Sequence, residues 1–235
     1  NCSPLPTTSQ PSVGDMSAVY RELADQGATG IISVLLSSGI SGAVSSAHAA
    51  AKEMPGVRIE IVDSQTASAA HMLAVEAGAR ALADGADFDK AVAVIRGVIE
   101  AQRIVFSVDT LEYLYKGGRI GGAAALLGSV LQFKPLLYFR DGEIDALERV
   151  RTSKRALRRM VDLMVEWLGT KEPIAAVAIE AAARDRAEAL LELVQAEMNV
   201  IDARICPLTP VLGAHVGNGT VGLCCCPTSA LYLEG

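Results

Sequence analysis

Aromatic residues are scarce in this chain: Phe, Trp and Tyr make up 4% of its 235 residues, against 51% apolar residues overall. The interior is therefore expected to be Ala, Val, Leu and Ile, as Ala-rich helices packed on aliphatic strands. The length is ample for a real hydrophobic core. Cations are short as well, with 21 Lys and Arg against 27 Asp and Glu and a net charge of -6. Nucleic acid is a poor partner for that balance, because phosphate binding needs clustered Lys and Arg.

A continuous apolar helix long enough for a membrane is missing too. Residues 26–51 and 205–233 carry no Asp, Glu, Lys or Arg, but the first stretch is rich in Ser and Gly. The second is interrupted by Pro207, Pro210 and Pro227. No membrane span is expected from either. The chain opens on polar residues and prolines rather than a signal peptide, which makes the cytoplasm the expected location. The five cysteines are Cys2, Cys206 and the run Cys224-Cys225-Cys226, without a Cys-x-x-Cys pair. They read as small hydrophobes in a reducing compartment, so no metal site is expected.

The usual catalytic sets are absent. There is no Gly-x-Ser-x-Gly elbow, no His-Glu-x-x-His, and no Gly-x-Gly-x-x-Gly in a dinucleotide-binding context. Lys116-Gly117-Gly118-Arg119 is not a phosphate loop, since no Gly-Lys-Ser/Thr closes it. Binding is favoured over turnover, and no cofactor is called for.

What is present is an alternation of strands and helices. Ser12 and Asp15 form a capping-box pattern opening a helix that ends near Gly27. Strands are predicted over 30–36, 58–62 and 104–108, and helices over 41–54, 68–83 and 88–102. That rhythm predicts an α/β fold with a parallel, Rossmann-like sheet flanked by helices. After a short helix at 111–116 the rhythm changes. Asp141-Gly142 between two aliphatic runs, 135–139 and 144–150, signals a hairpin. A helix at 153–168, a strand at 174–179, a helix at 184–198 and a strand at 200–205 follow. A second α/β domain with a mixed sheet is expected, which divides the chain into 1–116 and 117–235.

Candidate chemistry centres on Ser37-Ser38-Gly39-Ile40-Ser41-Gly42, a strand-to-helix turn. Free N–H groups at a helix start, the helix dipole and hydroxyls together suit a small anion, and Gly39 lets the backbone approach it. The plainer alternative is that Ser38 or Ser41 simply caps the helix. Thr7-Thr8-Ser9-Gln10-Pro11-Ser12 offers more hydroxyls, or only a turn and a cap. His215, in Gly213-Ala214-His215-Val216-Gly217-Asn218-Gly219, is the best-placed of three histidines, the others being His48 and His71 in predicted helices. Arg149, Arg151, Lys154, Arg155, Arg158 and Arg159 make a basic stretch that is either a solvated helix face or a docking patch for an acidic partner.

Taken in order, these segments resemble the DegV family of bacterial fatty-acid-binding proteins. The resemblance rests on Thr8-Ser9-Gln10-Pro11-Ser12, Leu36–Gly42, Val62-Asp63-Ser64, and Thr110–Leu114 leading into Lys116-Gly117-Gly118-Arg119-Ile120. It continues through Lys134-Pro135, Asp141-Gly142, Arg149-Val150-Arg151-Thr152 and His215 with its glycines. It implies a two-domain lipid-binding protein, not an enzyme, that holds a long-chain fatty acid non-covalently. The carboxylate would be held by Thr8 and Ser38 near His215, with Ser9, Ser37, Gly39 and Arg119 in support. It further implies a monomer that presents its lipid to a separate fatty acid kinase, docked through Arg149, Arg151 and Arg155. Three departures stand out. The family's usual first strand upstream of Thr8 is missing from the chain, Gly217-Asn218-Gly219 replaces Gly-Pro-Gly, and Ile179-Glu180-Ala181-Ala182 lacks a histidine often found there. The competing reading is a kinase-related subunit that holds a carbonyl substrate or phosphoryl group covalently on His215.

Overall fold

The computed structural model describes residues 5–127 and 133–231. Cys2 lies outside the described residues. The elements in chain order are α1 (Val13–Asp25), β1 (Gly30–Leu35), α2 (Ala43–Ala51), β2 (Arg58–Asp63), α3 (Ser68–Ala83) and α4 (Phe88–Ala101). Then come β3 (Arg103–Ser107), α5 (Glu112–Lys116), a 3-10 turn (Gly121–Leu126), β4 (Lys134–Arg140), β5 (Glu143–Val150) and α6 (Ser153–Leu168). The rest is β6 (Ile174–Ala181), α7 (Arg184–Glu197), β7 (Val200–Pro207), α8 (Pro210–Val216), β8 (Thr220–Pro227) and α9 (Thr228–Leu231).

The fold is α/β with two sheets. β1 and β2 pair in parallel, and a six-stranded mixed sheet runs in the order β5-β4-β3-β8-β6-β7. Local chemistry sets the elements. Asp15 N–H donates to Ser12 Oγ at 3.1 Å while Ser12 N–H donates to Asp15 Oδ2 at 2.9 Å, the reciprocal capping box expected for α1. Arg155 N–H donates to Thr152 Oγ1 at the start of α6, and Gly169 at φ 74° stops that helix. Asp141 and Gly142 both adopt positive φ (49° and 81°), the two-residue turn that the β4–β5 hairpin requires.

Two expectations need correction. β3, expected as the third strand of the first parallel sheet, pairs antiparallel with β4 and β8 in the larger sheet. The strands of the two sheets thus divide after β2. Local pattern cannot tell these pairings apart: β3 is buried apart from its first residue, and an aliphatic run of that kind suits either sheet. β8 was not anticipated as a strand at all. It is buried along its whole length and sits between β3 and β6, with Cys224, Cys225 and Cys226 fully enclosed. Cys224 and Cys226 join the core cluster of α3 and α4, and Cys225 faces the cluster of α6 and α7. Burial pushes all three thiols up, Cys226 to about 12, so they stay protonated.

The smaller sheet is tied to the larger one at the hairpin. Ser37 Oγ donates to the Gly142 carbonyl at 2.6 Å, and a Cβ on Gly39 would come within 2.5 Å of that same oxygen. Among the described residues, no helix is long and apolar enough to cross a membrane.

Candidate functional site

A cavity of about 940 Å³, counting the solvent at its mouth, lies between the two sheets. Its walls are aliphatic and aromatic, among them Leu36, Ile40, Phe106, Phe139, Ile144 and Ile179. Thr8, Ser41, Arg119 and His215 bring polar groups to it.

Each of these side chains is placed by a specific contact. Gln10, two residues after Thr8, donates from Nε2 to Ser46 Oγ of α2 at 3.2 Å. A Cβ at position 42 would lie 1.7 Å from Gln10 Oε1, so a larger residue there would displace that carboxamide. Thr8 Oγ1 and His215 Nε2 are then 2.6 Å apart, a hydrogen bond that spans 207 residues of chain. Arg119 ties the site together: Nε donates to the Ile40 carbonyl at 3.0 Å and Nη1 to the Gly117 carbonyl at 2.7 Å. Helices α2 and α3 both begin at this cavity, where Ser41, Ala67 and Ser68 line it; Ser41 Oγ accepts from the Ala43 N–H at 3.2 Å at the start of α2, and no side-chain cap closes α3. Two positive helix ends and one guanidinium suit an anion.

His215 occupies the last turn of α8 rather than a Gly-rich loop, and Gly217 at φ 77° ends that helix. Its Nδ1 is buried with no hydrogen-bond partner, and a Cβ on Gly117 would lie 2.4 Å from it. Burial, and then the Arg119 charge, hold its pKa below the ordinary 6.5. The folded protein thus favours the neutral ring, and the unfolded chain binds a proton first as the pH falls. In ligand-free protein the contribution of His215 to stability is expected to be fully present above pH 6.5 and to be lost as the pH falls from there through the lower folded value. Melting curves across that window should show the loss, and His215→Gln should flatten it.

Of the other expected site residues, Ser9 lines the cavity, but Ser37, Ser38 and Gly39 do not. Ser38 faces the end of β2. It is exposed, its hydroxyl donates to Asp63 Oδ2 at 2.5 Å, and its N–H points to the same carboxylate. A carboxylate at the end of the adjacent strand is the stronger acceptor, so the hydroxyl turns away from the cavity. Ser41, three residues on, faces it instead. Arg149, Arg151 and Arg155 are exposed at the end of β5 and the start of α6. Arg158 and Arg159 are paired with Asp162, Glu197, Glu148 and Glu166.

The family model described as "Uncharacterised protein, DegV family" matches residues 1–228. The chain belongs to the DegV family. A DegV domain-containing protein of Clostridium perfringens is 36% identical over 227 residues, which cover 94% of this chain and 79% of the relative. Among solved structures, one reporting fatty acid binding of a DegV family protein from Thermus thermophilus matches with a TM-score of 0.90 at 35% identity. It covers 94% of this chain and 79% of that one. A fatty acid binding DegV family protein from Streptococcus agalactiae matches at 0.88 and 31% identity, covering 96% and 80%. The two-sheet α/β architecture is thus the architecture of DegV proteins.

Proposed function

We propose that this DegV protein binds a long-chain fatty acid non-covalently in the cavity, its carboxylate held by Thr8, Ser41 and Arg119 beside His215. The observation that carries this reading is the cavity itself: an aliphatic enclosure with its polar groups linked by the Thr8–His215 bond. An acyl chain gains about 0.8 kcal/mol per buried methylene, which favours apolar walls of this kind. The carboxylate must find several hydrogen bonds, because an unpaired buried charge is very costly. Two hydroxyls and a guanidinium meet that need, with the His215 imidazole bonded to Thr8 behind them. Thr8 and Ser41 come from one half of the chain, Arg119 and His215 from the other. We read the two-unit organisation in that light, with the lipid between the units.

Presentation of the lipid to a separate fatty acid kinase completes the proposal, and the exposed Arg149, Arg151 and Arg155 are its docking candidates. Binding is preferred to covalent chemistry at His215 because both ring nitrogens are engaged or covered. Nε2 is bonded to Thr8 and Nδ1 is packed against Gly117. Calorimetric titration of lipid-free protein with hexadecanoic acid should show one saturable site. Intact mass after incubation with ATP or a small ketone should be unchanged. A stable adduct on His215, with no lipid binding, would favour the covalent reading.

A further inference from the structure

A second cavity, of about 1010 Å³ with the solvent at its mouth, adjoins the first. Ile104 and Phe139 line both. They are one residue on from the paired Val105 and Tyr138, which sets them opposite each other in the antiparallel β3–β4 register. Alternation along an extended chain puts Phe106, Ile104 and Gln102 on one side. Phe106 lines the first cavity, Ile104 lines both, and Gln102 lines the second. One row of side chains therefore leads from the apolar enclosure to a carboxamide, with about 7 Å between successive members.

That far end is polar and unsatisfied. Gln102 is 7% exposed and Thr66 5%, yet Gln102 Nε2, Gln102 Oε1 and Thr66 Oγ1 have no hydrogen-bond partner. A buried carboxamide offers two donors and an acceptor, and leaving them unpaired is unfavourable. The charged residues of this cavity, Arg103 and Asp141, are exposed, and Arg103 is bonded to the Glu100 and Gln102 carbonyls. The buried complement is neutral. It matches a hydroxyl, which both donates and accepts, and it does not match a second carboxylate.

We propose that the acyl track continues past Ile104 and Phe139 into this second cavity, so that the ligands of this protein include fatty acids hydroxylated toward the far end of the chain, received by Gln102 and Thr66. The proposal rests on the fatty-acid reading of the first cavity and extends it to a substrate class. Calorimetry on the lipid-free full chain, with hexadecanoic acid and ω-hydroxyhexadecanoic acid, tests the two separately. Wild-type protein should bind both acids within roughly threefold of each other, because the hydroxyl is paired rather than stranded. Gln102→Leu should weaken the hydroxy acid by roughly tenfold or more, leaving hexadecanoic acid unchanged or tighter. Thr66→Val should act in the same direction, and so provides a second readout if the first variant folds poorly. A tenfold wild-type preference for the plain acid, or an unchanged ratio in both variants, would overturn the proposal while leaving the fatty-acid reading intact. Failure of either acid to bind would overturn both.

Discussion

Replacing Arg119 with Ala is expected to lower the affinity for a long-chain fatty acid by roughly 100-fold, about 3 kcal/mol. Two effects act together. The carboxylate loses the Arg119 cation, and hydrogen bonds to charged groups contribute about 1.5–3 kcal/mol each. The Ser41 turn also loses the tie from Arg119 to the Ile40 carbonyl, and the Gly117 carbonyl loses its donor. Arg119→Lys separates these effects. It retains the charge but cannot reproduce the planar fork, so it should recover part of the affinity and not all. Removing the Arg119 charge should also let the His215 pKa rise, because that charge helps to hold it down. Titration calorimetry and the pH dependence of melting read the two consequences independently.

Leu223→Ala should cost about 2–5 kcal/mol of stability and lower the melting temperature by about 10 °C. Leu223 is fully buried on β8, pairs with Val105 on one side and Ala178 on the other, and faces the helices α6 and α7. A side chain removed there leaves a hole at the middle of the larger sheet, where the neighbouring strands cannot close in. Ile201→Ala, at a position 61% exposed, should change stability by only about 0.5 kcal/mol or less. Near-equal effects from the two variants would mean that β8 is not the central strand.

The local signals in the sequence proved reliable where an element announces itself through its own chemistry. The Ser12–Asp15 box, the Asp141-Gly142 turn and the amphipathic α6 are all found within a residue or two of their expected places. Less legible was everything that depends on partners distant in the chain. β3 reads as an aliphatic strand in either sheet, and only its register with β4 and β8 decides which. β8 is buried on both faces, so its Cys run shows no alternation to mark it. α8 has only seven residues, although Thr209-Pro210 carries the signal for a helix start that could have found it.

The candidate site divides along the same line. Thr8, Arg119 and His215 were found from their motifs, and the structure brings all three to one cavity. Among three serines on one turn, however, spacing could not choose. The choice is made by Asp63 on β2, which captures Ser38 and leaves Ser41 facing inward. Gln102 and Thr66 gave no signal at all, because a buried glutamine with no partner is visible only once its neighbours are placed.

The central claim is that this cavity holds a fatty acid. Denaturing extraction of the purified protein, followed by mass spectrometry of the organic phase, tests it most directly. A long-chain fatty acid should be recovered in near-equimolar amount from the wild-type chain and in much lower amount from Arg119→Ala. An extract empty of fatty acid, from protein that also takes none up on incubation, would contradict the account.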